Sequence, residues 1–157
     1  MVTLVFDGKM GASGDMIIAA LLAVGANAEV LIPIEEGLGV KYDIEELVEQ
    51  GIAAKQVQVT REGKIIEGER SSKNLKDIIK VVRSLSISEK VASDAVGIFH
   101  LLGEAEAEVH GKKLEEIHLH EVGADDAIAD IVGTCVLMED LDVKSVIVPP
   151  ISVGGGT

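Results

Sequence analysis

The chain has 157 residues, of which 47% are hydrophobic and 26% charged, enough for one domain with a true core and too apolar for a disordered chain. Its formal net charge of −13 argues against nucleic acid or an anionic membrane as partner, and at 2% aromatics it has no base-stacking platform for single strands. The single cysteine, Cys135, cannot form an internal disulfide and lies in an apolar run, which fits a buried thiol in a reducing, cytoplasmic setting.

Val2 to Phe6 is a short β-branched run that reads as a buried strand ending at Asp7. Gly8 to Asp15 is rich in glycine, and an apolar stretch from Met16 to Val24 follows, closed by Gly25. This reads as strand, glycine loop, helix, with Ser13 or Asp15 as the cap. Backbone N–H groups of Gly11, Ser13 and Gly14 at such a helix start can hold a phosphate, although the glycine spacing is neither G-x-G-x-x-G nor a P-loop, and a ligand-free turn fits equally well. Asp7 and Asp15 bracket the loop, and a carboxylate at a strand end faces the usual ligand crevice of an α/β sheet. The longest apolar run, Ile17 to Ala26, is too short to span a bilayer, and no basic segment marks a signal peptide.

Asn27 to Leu38 predicts a second helix interrupted by Pro33. Val40 to Gln50 and Gly51 to Thr60 predict an antiparallel hairpin, the second arm alternating better than the first. Arg61 to Ser72 is polar and reads as a loop. Asn74 to Leu85 carries Leu75, Ile78, Ile79, Val82 and Leu85 at helical spacing. Ser86 to Ser88 separates it from a longer helix running to about His110, stopped by Gly111. The polar face of that helix holds His100, Glu104, Glu106, Glu108 and His110. Glu106 and His110 are one turn apart, a geometry that suits either a chelate or a solvated acidic face.

From Ile117 to Asp130 imidazoles and carboxylates crowd as nowhere else. His118 and His120 alternate around Leu119, as on a strand, so both rings point the same way. Glu121 follows, then Asp125, Asp126 and Asp130, while Ile128, Ile131, Val132 and Val136 set a helical period. Asp126 and Asp130 share a helix face. A strand end feeding a helix start, lined by imidazole and carboxylate, suits a divalent cation: imidazole favours nickel or zinc, carboxylate favours magnesium or manganese. Aspartates in a first helical turn are also favoured by the dipole and by capping alone, so spacing does not decide. Lys144 to Val148 predicts a last strand, broken by Pro149-Pro150 and resumed at Ile151 to Val153, before a glycine-rich end.

Several of these motifs occur together, in this order, in one family. Phe6-Asp7 with Gly11 to Met16, Ala105-Glu106-Ala107 with Val109-His110-Gly111, His118 to Ala124 with Asp126 and Asp130 to Gly133, and Ser152-Val153-Gly154 make the chain resemble the N-terminal part of the LarC-type nickel-insertion proteins. The resemblance implies a cytoplasmic nickel chelatase (a cyclometallase, classed as a lyase) that inserts Ni(II) into pyridinium-3,5-bisthiocarboxylic acid mononucleotide. That reaction depends on CTP with magnesium or manganese and completes the nickel-pincer nucleotide cofactor of lactate racemase. It also implies a C-terminal region that handles the nucleotide, with residues 1–157 forming the single N-terminal domain. Members often read a single Asp followed by Ser where this chain has Asp125-Asp126-Ala127, and the histidine-rich tract of some members is absent from its four histidines.

On residue chemistry, His118 and His120 are the expected nickel ligands and Glu121 the ligand or proton-accepting base. Asp7, Asp15, Asp126 and Asp130 are expected to hold nickel or a nucleotide's magnesium. The expected partners are the pyridinium mononucleotide, the C-terminal half of the family protein and further copies of the chain. Two rival readings are a non-catalytic scaffold or oligomerisation domain, built on the apolar helices, and a metal-dependent phosphohydrolase using Asp7 with His118 and Asp126. The element order favours an α/β fold with a mixed, partly parallel sheet and helices packed on it; the alternative is an α+β two-layer sandwich.

Overall fold

A computed structural model describes the chain except Met1, Met10, Gln50, residues 67–71, Glu121 and residues 154–157. The elements run β1 (Val2–Val5), α1 (Gly14–Ala23), a 3-10 turn (Ala28–Leu31), α2 (Ile32–Leu38), β2 (Lys41–Glu49), β3 (Ile52–Arg61), β4 (Lys64–Ile65), α3 (Leu75–Ser84), α4 (Glu89–His110), a 3-10 turn (Leu114–Glu116), α5 (Asp125–Asp140) and β5 (Val143–Ile147). The fold is α/β, with a parallel pair β1–β5 and an antiparallel sheet β2–β3–β4.

α5 is the central element: it packs against α1, α2, α3, α4 and β5. That is why its sequence is apolar on most sides, with Ile128, Ala129, Val132, Val136 and Leu137 all buried. α1 lies between α5 and the hairpin strand β3. Ile18, Leu21, Phe99, Ile128 and Leu137 are among the large side chains sealed in the shared core. Burying one such side chain fully contributes about 1.5–3 kcal/mol.

Local chemistry explains the boundaries. Asn74 and Ser88 accept from the backbone N–H groups of Asp77 and Val91, capping α3 and α4. Gly111 at φ 61° ends α4 in the left-handed conformation. Pro33 falls in the first turn of α2, so the expected interruption becomes a 3-10 turn handing over to a helix start. Glu62 and Gly63, both at positive φ, turn β3 back into β4. β4 therefore corrects the expectation that Arg61 to Ser72 is all loop; residues 67–71 of that stretch lie outside the described residues.

Three other expectations change. The segment His118–Leu119–His120 is no strand; it makes one antiparallel bridge, His118 to Asn74. Its neighbour is the short run before α3, too brief for a ladder. Ile151 to Val153 forms no strand either. β1 is not buried: one face meets the core through Leu4, and the other carries Val5 at 62% exposure. Among the described residues no helix is long and apolar enough to cross a membrane.

Candidate functional site

The two histidines stand out from a buried anchor. Leu119 is 1% exposed, and His118 and His120 on either side are exposed, so the alternation read from sequence holds for side-chain direction without a strand. The Leu119 N–H donates to the Lys73 carbonyl at 3.1 Å. His118 Nδ1 lies 2.9 Å from the Ser72 carbonyl oxygen. A carbonyl only accepts, so Nδ1 carries the hydrogen and the ring's lone pair sits on Nε2, the orientation usual for a metal-binding imidazole. The two ring centroids are 6.3 Å apart, tilted by 30°.

α4 brings a third imidazole to the same place. His110, Lys112, Glu116, His118 and His120 line one cavity of about 100 Å³. His110 Nε2 is 3.2 Å from the Glu106 carboxylate. The turn at Gly111 reverses the chain, which delivers the helix end to the His118 segment. Spacing along the chain showed the Glu106–His110 pair; only the fold joins it to His118 and His120. Among the described residues no group of three or more His, Cys, Asp or Glu side chains is arranged to hold a metal ion. Glu121, the expected base, lies outside the described residues.

The carboxylates are distributed differently. Asp7 is exposed and meets Lys9 at 3.4 Å. Ser13 occupies the N-cap of α1 without a side-chain cap bond; its hydroxyl donates to Asp15 instead. Gly11, at φ 85°, donates its N–H to the Gly8 carbonyl. Asp7, Gly8, Gly11 and Ala12 help line a cavity of about 180 Å³ beside α1. Asp130 reaches this end of α1 from α5: its side chain lies so close to Gly14 that any Cβ there would overlap it. Asp126 accepts from the N–H of Ala127 at 2.8 Å. The structure thus gathers Gly14, Asp15 and Asp130 at the start of α1, and His118, His120 and His110 at the end of α4. A further cavity, about 300 Å³, lies at the hairpin, where Glu46 and Lys55 pair with each other.

Asp125, the remaining aspartate of the stretch, is structural. Arg61 Nη2 and Lys73 Nζ reach its two oxygens at 2.6 and 2.9 Å. Burial pushes its carboxyl pKa up, but hydrogen bonds from Lys73 and Arg61 outweigh that and hold it below the usual value. Lys73 also donates to the Gly123 carbonyl at 3.3 Å, tying the histidine segment to the start of α5.

The family profile described as nickel insertion protein matches residues 4–157. The chain belongs to the nickel insertion protein family. It is 39% identical over 167 residues to the pyridinium-3,5-bisthiocarboxylic acid mononucleotide nickel insertion protein of Clostridium kluyveri, covering 99% of the chain and 42% of that relative. It is 37% and 39% identical to provisionally named nickel insertion proteins of Methanococcoides burtonii and Methanosarcina barkeri, each time over all of the chain and 39% of the relative. The chain spans about two fifths of the length of these curated relatives. No solved structure matches it significantly. Within the nickel insertion family, the motif stretch from His118 to Asp130 thus falls inside the matched segment.

Proposed function

We propose that this chain is the nickel-receiving part of a protein that inserts Ni(II) into pyridinium-3,5-bisthiocarboxylic acid mononucleotide. The observation that carries the reading is the exposed His118–His120 pair, anchored by Leu119 and oriented by the Ser72 carbonyl. In the reaction Ni(II) replaces a ring proton. The ring carbon keeps the electron pair of its C–H bond, a base takes the proton, and two thiocarboxylate sulfurs close the pincer. Glu121 is the base in this proposal. Two protein nitrogens suffice for an ion in transit, because the substrate supplies a carbon and two sulfurs of its own.

The carboxylates have a second task in the same reading. Asp7, Asp15, Asp126 and Asp130 hold nickel or the magnesium or manganese of CTP, and Gly11, Ser13 and Gly14 receive phosphate oxygens at the start of α1. The product is the cofactor of lactate racemase, and the chelatase is complete only with the rest of the family's length.

The rival reading is a non-catalytic scaffold or oligomerisation domain built on the apolar helices. Calorimetric titration with Ni(II) separates the two. The chain is expected to bind one equivalent, and His118→Ala/His120→Ala to lose that binding. Equal binding by both forms, or none by either, overturns the proposal.

A further inference from the structure

The parallel pair β1–β5 is covered incompletely: Val146, opposite Leu4 on the inner side, is 41% exposed, and the outer face is barer still. In a parallel pair, partners across the ladder point to the same side. Thr3 pairs with Ser145, and their hydroxyls meet at 2.6 Å; Val5 pairs with Ile147, and the two are 62% and 54% exposed. Leu4, pointing the other way, packs on the core. Val148 and Val153, beyond the end of β5, are also exposed. Parallel sheets occur almost only where both faces are covered, and among the described residues each strand of this sheet has one neighbour and one open edge. An uncovered parallel pair with an apolar outer face is a layer short of a stable α/β arrangement.

Two occupants compete for that face. A second copy would bring another net charge of −13 against the first, an unfavourable encounter. The relatives supply the other candidate, since the matched segment is 39–42% of their length and the larger part lies outside it. We propose that the outer face of β1–β5, centred on Val5 and Ile147, is the surface on which the remainder of the nickel insertion protein packs, through an apolar layer laid across the two strands. The His118 segment does not enter this argument, so Ni(II) binding by the two histidines and this docking stand or fall separately; Val5 does line the cavity beside α1 that Asp7 and Gly11 share.

Thiol labelling tests it. Val5→Cys and Ile147→Cys are made in this chain, and cysteines are placed at the aligned positions of the full-length Clostridium kluyveri relative. Labelling is read peptide by peptide in native buffer and in denaturant. In the 157-residue chain both thiols are expected to react freely, with buried Cys135 as the slow internal control. In the folded full-length relative they are expected to react at least about tenfold more slowly than in denaturant, as buried positions do. Native labelling of the relative as fast as in denaturant overturns the proposal. So does protection in this chain alone together with a dimer in sedimentation, which assigns the face to a second copy.

Discussion

Gly123 is pressed against the carbonyl oxygen of Leu119: its N–H donates to that oxygen at 3.1 Å, and a Cβ on Gly123 would overlap it. The same carbonyl belongs to the residue that anchors both histidines. Gly123→Ala must therefore move backbone, not a flexible side-chain end. It is expected to cost about 1–3 kcal/mol, as overpacking does, and to weaken Ni(II) binding by displacing the His118 segment. Denaturant unfolding and calorimetry check the two effects.

The Asp125 ion pairs predict an acid dependence. The folded carboxyl titrates below its ordinary value, so the stabilisation is present in full above the unfolded pKa and is lost as pH falls through the folded one. Asp125→Asn is expected to cost about 1–2 kcal/mol at neutral pH, discounted for partial solvent screening. Measured by urea unfolding, its difference from the parent should shrink steadily below about pH 4. A difference unchanged down to pH 3 contradicts the ion-pair account.

Tyr42 predicts the opposite end of the scale. Its hydroxyl donates to the Ala129 carbonyl at 2.6 Å inside α5's packing surface, where Gly133 leaves room for it. Burial, then the charges of Asp130 and Glu35, push its pKa well above 10.0. The unfolded chain ionises first, so stability falls as pH rises through about 10 toward the folded value. Tyr42→Phe is expected to lose about 1 kcal/mol at pH 7 and to unfold with a weaker alkaline dependence. Thermal melts between pH 8 and 11 read both.

These three relationships also mark what a sequence can carry. Ser88, Gly111 and the stripe through Phe99 place α4 because caps and periodicity are local signals. The alternation around Leu119 gave the side-chain directions correctly. It missed the absence of a strand, because a strand needs a partner ladder and the run before α3 offers one bridge. Asp125 looked like its neighbours Asp126 and Asp130, since its cations, Arg61 and Lys73, lie far back along the chain. His110 joined the His118 cavity, and Asp130 joined Gly14, through tertiary packing that no spacing records. β1 looked buried because β-branched runs usually are, yet Val5 stays 62% exposed because β1 pairs only with β5 among the described residues.

X-ray absorption at the nickel edge of the Ni(II)-loaded chain tests the central claim most directly. Imidazole scattering from two histidines is predicted, vanishing in His118→Ala/His120→Ala. A shell of oxygen ligands alone, the same in both proteins, would contradict it.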